Sequence, residues 1–425
     1  MNTIKITPSI IQGKISVPPS KSLCHRAIIA AGLSSDNCNI ENVVFSEDII
    51  ATCNAMRDLG VSVTKGRNIV IIKGKNFSNA TQNEIDCAES GSTLRFLIPI
   101  ALLTGSEFTF TGSGRLSERP LTPYYKIFKE QDIKYSSSGG LPLTIQGKLK
   151  AGVYKLPGNI SSQFITGLLF ALPLLNGDSK IIVTTQLESK AYVDLTIDIL
   201  SKFSVHIENI GYKEINIVGN QKYIARNYRV EGDFSQAAFW LVAGILGGEI
   251  QCEDMNIKSL QGDRAIVNII TKMGGNIFIK EGKIKTKRSK THGIIIDASE
   301  CPDLVPILAV LASLSTGTTE IINAGRLRIK ECDRLKAMAT ELTKLGGDVV
   351  ETEDGLIIHG KESLKGGTVD SYNDHRIAMA LSVASIRCNG PVIITDSACI
   401  KKSYPGFYKD FEMLGGKVNE WSLGQ

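Results

Sequence analysis

One local pattern recurs along these 425 residues, at a spacing of roughly 70. A helix-like segment ends at or near a glycine; a short strand, a turn and a second strand follow. Leu59-Gly60-Val61-Ser62-Val63 leads to Asn68–Ile72, and Asp132-Ile133-Lys134-Tyr135 leads to Leu141–Ile145. The theme returns at Phe203–Ile207, Gly274–Phe278 and Gly346–Val350, and a last partial copy begins at Gly415-Gly416-Lys417-Val418. This spacing is too long for a solenoid and long enough for a small α/β unit each time. Glycine stops the helix because a left-handed conformation costs it little. Helical periodicity fits Ser162–Leu175, Phe234–Leu246, Pro306–Leu314, Glu331–Leu345 and Asp374–Ile386. Helices alternate with strands and hairpins, so the expected class is α/β with mixed sheets. A chain this long exceeds one core, which predicts two domains of three units each. The break is expected near Arg229–Asp233, and the first strand, residues 3–7, need not belong to the first half.

Composition removes several classes of function. The apolar runs near Phe164–Leu175 and Leu304–Leu314 are too short to span a bilayer. Met1–Ile6 alternates like a strand and lacks a signal-peptide core, so a cytoplasmic protein is expected. Nine cysteines with no CxxC argue against a disulfide framework or zinc ribbon, and the five histidines form no HExxH-type pair. A net charge of +5 suits small anionic substrates and weak nucleic-acid contact alike, and does not separate them. The basic stretch Lys280–Lys290 lacks interleaved aromatics and reads as a solvated hairpin, not a nucleic-acid surface.

What remains is a theme of polar and charged residues at the starts of apolar helices. Pro19-Ser20-Lys21-Ser22 with Arg26 opens the first. Glu89-Ser90-Gly91-Ser92-Thr93-Leu94-Arg95 opens another, without the GKS or GKT of a Walker loop. Arg115–Pro120 is a glycine-flanked turn with two arginines and a glutamate. Asn159–Gln163 and Glu188–Tyr192 precede further helices, and Asp303 precedes Leu304–Leu314. Arg326–Arg334 is the densest charge cluster; its alternating first half reads as strand-like and its second half as a helix start. Asn373-Asp374-His375-Arg376 and Lys401-Lys402-Ser403-Tyr404-Pro405 complete the set. Capping explains each serine or aspartate taken singly. Cations at a helix N-terminus oppose the macrodipole, and an anionic ligand among them removes the conflict.

These motifs, in this order and through nearly the whole chain, resemble the 5-enolpyruvylshikimate-3-phosphate synthases. That resemblance implies a two-domain enolpyruvyl transferase fold (an inverse α/β barrel), each domain built of three βαβαββ units. The expected domains are residues 14–228, and residues 1–13 with 229–425, with the active site in the cleft between them. The implied reaction moves the enolpyruvyl group of phosphoenolpyruvate to the 5-hydroxyl of shikimate 3-phosphate, with no metal or organic cofactor. The implied phosphoenolpyruvate ligands are Lys21, Gly91, Arg119, Gln163, Arg334, Arg376 and Lys402. Those for shikimate 3-phosphate are Ser22, Arg26, Ser161, Ser162, Gln163, Ser189, Tyr192, Asp303 and Lys330. Asp303 and Glu331 are the candidate proton-transfer groups, assisted by Lys21. The partners expected are the two small substrates alone, bound by a monomer, with no nucleic acid and no membrane.

Glu89 and Arg326 depart from familiar members and carry no assigned role. Gly91 leaves room that an alanine would narrow, which predicts sensitivity to glyphosate, a competitor of phosphoenolpyruvate in that family. The nearest alternative is a UDP-N-acetylglucosamine enolpyruvyl transferase, whose mobile loop usually carries a cysteine; Gly112–Pro120 has none. A non-catalytic anion- or nucleic-acid-binding protein is the alternative of a different class.

Overall fold

The computed structural model describes residues 3–74 and 82–421. Two compact units emerge: Lys21–Val230, contiguous, and a discontinuous unit of Met1–Ser20 with Glu231–Gln425. Each has its own apolar core.

The contiguous unit holds helices α1 (Lys21–Leu33), α2 (Glu47–Asp58), α3 (Gly91–Ala101), α4 (Thr122–Glu130), α5 (Ser162–Ala171) and α6 (Lys190–Lys202). One sheet runs in the order Glu84–Asp86, Glu107–Thr111, Leu143–Gln146, Lys134–Ser137. The first pair is parallel and the others antiparallel, so α3 and α4 are the crossovers of a βαβαββ unit. Val153–Leu156, Ser179–Val183, Glu214–Ile217 and Ile207–Ile210 repeat that order with α5 and α6. The third sheet takes its first strand from the far end of the unit. Tyr228–Arg229 lies parallel to Asn37–Glu41, which continues to Ile69–Lys73 and Ser62–Lys65.

The discontinuous unit holds α7 (Phe234–Leu246), α8 (Ala265–Lys272), α9 (Val305–Ser313), α10 (Arg334–Lys344), α11 (His375–Ala384) and α12 (Phe407–Met413). Its sheets keep the same strand order. Here the chain start closes two of them. Gly13–Ser16 runs parallel to Glu249–Met255, and Thr3–Thr7 lies between Val392–Thr395 and Lys417–Trp421. The separate membership expected for residues 3–7 is therefore what the sheet displays.

Within each βαβαββ unit the two helices differ. The first is buried nearly all round, as in α7 and α9, where every residue is buried. The second buries one face, as in α2 and α8. The N-termini of the buried helices are thus the places where polar side chains must be satisfied by protein or ligand.

The chain crosses into the contiguous unit between Ser20 and Lys21, not after residue 13. Strand pairing of Gly13–Ser16 and a bridge from Pro19 to Gly232 hold that stretch in the discontinuous unit. It leaves after Val230, not after residue 228, because Arg229 pairs with Glu41. Gly325–Ile329 is a 3-10 helix, not a strand; its alternation reflects one buried leucine, Leu327. Gly60 and Gly346 do stop their helices at φ 91° and 86°, but Asp132 and Ser204 take the left-handed position in two other copies. Three lysines of the basic hairpin pair across the sheet: Lys285 and Lys287 reach Glu249, and Lys283 reaches Glu253. All nine cysteines are buried thiols. No helix among the described residues is long and apolar enough to cross a membrane.

Candidate active site

In the contiguous unit the site begins at three helix starts. Lys21 is the first residue of α1, and its Nζ lies 2.6 Å from Asp48 Oδ2 in the first turn of α2. Ser90 caps α3 by accepting the Thr93 backbone N–H at 3.2 Å, which leaves Gly91 as the first helical residue. Ser161 caps α5 through the Gln163 N–H at 3.3 Å. Gln163 then spans to α3: Arg95 Nη1 donates to its Oε1 at 2.7 Å, and its Nε2 donates to Ser92 Oγ at 3.0 Å. The Arg95 guanidinium lies 4.9 Å over the Phe164 ring. A Cβ on Gly91 would lie 2.9 Å from Arg119 Nη1 and 3.5 Å from Gln163 Oε1. Gly91, Gln163 and Arg119 are therefore neighbours, three expected ligands of one substrate. Arg95 and Ser92 join them; both were legible in the motif yet absent from the expected ligands.

Arg26 is held between two helices. Its Nε donates to Thr196 Oγ1 at 2.9 Å, Nη1 to the Ser22 carbonyl at 2.8 Å, and Nη2 to the Tyr192 carbonyl at 3.1 Å. Burial pushes it down to about 10, against a raising influence of Tyr192. It pins α1 to α6 and thereby sets where Ser22 and Tyr192 stand. Ser189, buried at φ 54°, begins α6 and is fixed by its backbone.

In the discontinuous unit one carboxylate gathers three cations. Asp303, in the 3-10 turn Pro302–Leu304, accepts from Arg334 Nη1 at 2.8 Å and Arg376 Nη2 at 3.1 Å. Lys330 Nζ stands 3.6 Å away. Burial alone would raise the Asp303 carboxyl, but Arg376, Lys330 and Arg334 outweigh it and hold it well below the usual carboxylate range. The Lys330 ammonium is lowered, first by desolvation and then by Arg334 and Arg326, against Asp303 and Glu331.

Arg334 is the hub. It is 1% exposed and touches Asp374 (2.7 Å), Glu331 (2.7 Å) and Asp303 (2.8 Å). Burial would lower it, but the three carboxylates raise it well above its ordinary value. Asp374 also caps α11, accepting the Arg376 N–H at 2.8 Å. Asp374 is thus spent on Arg334 and the cap, and its oxygen stands 4.0 Å from His375 Nδ1, too far for a catalytic dyad. Lys402 is buried, and its Nζ donates to the Asn373 carbonyl at 2.7 Å. Among the described residues no group of three or more His, Cys, Asp or Glu could hold a metal ion.

Each unit therefore presents a cluster of cations and hydroxyls at helix starts, the geometry that binds phosphates and carboxylates. Comparison with known proteins places the whole chain in one family. A family model for EPSP synthase (3-phosphoshikimate 1-carboxyvinyltransferase) matches residues 6–411. The chain is 61% identical over 435 residues to a 3-phosphoshikimate 1-carboxyvinyltransferase of Clostridium novyi, covering 100% of each. It is 58% identical over 430 residues to that of Clostridium acetobutylicum, again with full coverage of both. Among solved structures, an EPSP synthase from Acinetobacter baumannii superposes with a TM-score of 0.84 at 28% identity, over 99% of this chain and 100% of that one. A repeat of six like-ordered sheets, a cluster of cations and hydroxyls at helix starts in each unit, and these likenesses lead to one conclusion: the chain belongs to the EPSP synthase family.

Proposed function

We infer that the chain transfers the enolpyruvyl group of phosphoenolpyruvate to the 5-hydroxyl of shikimate 3-phosphate and releases phosphate. The observation that carries the reading is full-length likeness to 3-phosphoshikimate 1-carboxyvinyltransferases at 61% identity, joined to a site made of anion ligands.

The residue roles follow from the chemistry. Both substrates carry a phosphate and a carboxylate, which suits Lys21, Arg119, Gln163, Arg376 and Lys402 toward phosphoenolpyruvate, with Gly91 giving close approach. Ser22, Ser161, Ser162, Ser189, Tyr192 and Lys330 are assigned to shikimate 3-phosphate. Arg26 and Arg334 serve these ligands through the side chains and helix starts they hold. Addition requires removal of the 5-hydroxyl proton and protonation of the methylene carbon; elimination takes a proton back from the resulting methyl group and delivers one to the departing phosphate as its C–O bond breaks. Asp303 is the proton acceptor, because its cations keep it ionised. A carboxylate held so low is a weak base until its cations are shared. Substrate anions drawing on Arg376 and Lys330 raise it toward the useful range. Glu331, fixed by Arg334 at 2.7 Å, and Lys21 are the groups that exchange a proton with the methylene carbon.

The proposal includes a cytoplasmic monomer working on two small molecules, with no nucleic acid or membrane partner. Pairing of the basic hairpin with Glu249 and Glu253 supports the exclusion of nucleic acid. The test is phosphate release from phosphoenolpyruvate with each acceptor. Turnover with shikimate 3-phosphate is expected; turnover with UDP-N-acetylglucosamine alone would overturn the reading, and none with either would favour a binding protein. Light scattering at working concentration checks the monomer.

A further inference from the structure

Beneath the Lys21–Asp48 pair runs a second rung. His25 follows Lys21 by four residues on α1, and Thr52 follows Asp48 by four on α2. Each pair shares a helix face. The His25 Nδ1 to Thr52 Oγ1 distance is 2.7 Å, one turn below the ion pair. From Thr52 the contact continues at 2.6 Å to Thr93 Oγ1 on α3, and Thr93 donates at 2.7 Å to Ser90 Oγ, the cap that precedes Gly91. His25, Thr52, Thr93 and Ser90 are each 1% exposed or less. The chain therefore ties the starts of three helices together in a place water does not reach.

Proton counting gives this chain a direction. A threonine hydroxyl has one proton. Thr93 gives its proton to Ser90, so it accepts from Thr52; Thr52 then has none left for His25 and accepts from it. His25 must therefore carry its proton on Nδ1. Its Nε2 is buried without a hydrogen-bond partner, which a bare lone pair tolerates better than an N–H does. Burial, followed by Lys21 and Arg26, drives the imidazole well below its ordinary value, in keeping with a neutral ring.

We propose that His25, Thr52 and Thr93 are positioning residues for the phosphoenolpyruvate end of the site. Their one-way hydrogen-bond chain holds Lys21 on α1 in register with Gly91 and Ser92 on α3. This deepens the synthase reading and rests on it. Thr52→Val keeps the shape and cuts both of the Thr52 bonds. It is expected to raise KM for phosphoenolpyruvate about tenfold, with KM for shikimate 3-phosphate within about twofold, and Thr52→Ser restores the wild-type value. Thr93→Val cuts the same chain nearer the cap and keeps the question answerable where Thr52→Val does not fold.

The independent readout is nitrogen-15 NMR of histidine-labelled protein, with His25 assigned by loss of its signal in His25→Asn. The expected spectrum is an Nδ1–H tautomer that does not titrate between about pH 5.5 and 8.5, and that changes when Thr52 is replaced. An Nε2–H tautomer, or a titrating His25, would overturn the chain. A cut chain with unchanged KM for phosphoenolpyruvate would overturn its positioning role. Inactivity of the wild type with shikimate 3-phosphate would instead defeat the synthase reading, and the NMR result would still stand.

Discussion

Arg334 Nε lies 2.7 Å from Asp374 Oδ2, and both side chains are out of reach of solvent. The pair joins α10 to α11 and sits directly behind the carboxylates of Asp303 and Glu331, which the same guanidinium holds. A buried ion pair of this kind is costly to break from one side. Arg334→Met leaves three carboxylates facing each other. It is expected to lower stability by about 3–5 kcal/mol, read as a shift in the urea midpoint. An unchanged midpoint would mean that Arg334 is a ligand-binding arm and not a strut.

Lys21 should behave oppositely. Its pair with Asp48 is part-exposed, with side-chain exposures of 19% and 13%, and such pairs contribute about 0–1 kcal/mol. Lys21→Met is therefore expected to keep its thermal midpoint within about 4 °C of wild type. It should lose at least about 100-fold in kcat/KM. Near-normal turnover would remove Lys21 from the chemistry.

Gly91 is constrained by what a side chain would strike. The nearest atom, Arg119 Nη1, lies 2.9 Å from a built Cβ, closer than carbon tolerates. Gly91→Ala should push Arg119 aside, raise KM for phosphoenolpyruvate about tenfold, and weaken inhibition by glyphosate at least as much. Unaltered inhibition, measured at fixed phosphoenolpyruvate, would place glyphosate elsewhere.

Asp263 gives a pH signature. It is 2% exposed, and Ser235 Oγ donates to its Oδ2. Burial first, then the charges of Asp303 and Asp233, push its carboxyl up to about 7, against Arg376 and Ser235. The folded protein then holds this proton where the unfolded chain has released it, so stability falls as pH rises from about 4 to 7. Asp263→Asn removes that dependence. Relative to wild type, the variant should be more stable at pH 8 than at pH 5, by on the order of 1–4 kcal/mol between the two. Parallel stability curves would show that Asp263 is ionised in the fold throughout.

Much of this was legible before folding. Alternation and helical period marked Phe234–Leu246 to the residue, and the polar motifs fell at helix starts because caps and first turns are chosen by local chemistry. Gly91, Gln163 and Arg119 were named from motifs that stand far apart in sequence; their convergence at α3 and α5 needed the fold. The strand-like alternation of Arg326–Lys330 misled because a short 3-10 turn with one buried leucine produces the same pattern. Arg26 and Arg334 stand out in the sequence as charges alone; the partners that hold them, on α6 and at the start of α11, are not displayed there.

The sequence by itself determined the repeat, the α/β class and the list of polar residues at helix mouths, since each is written within a few neighbouring positions. Tertiary structure alone decided that Thr3–Thr7 closes the last sheet and that Tyr228–Arg229 opens the first. It also decided which partners hold Arg26 and Arg334 and which way the His25 chain donates. Those outcomes depend on pairing and burial between residues tens to hundreds of positions apart, where the gain is shared by both partners and neither segment carries the signal alone.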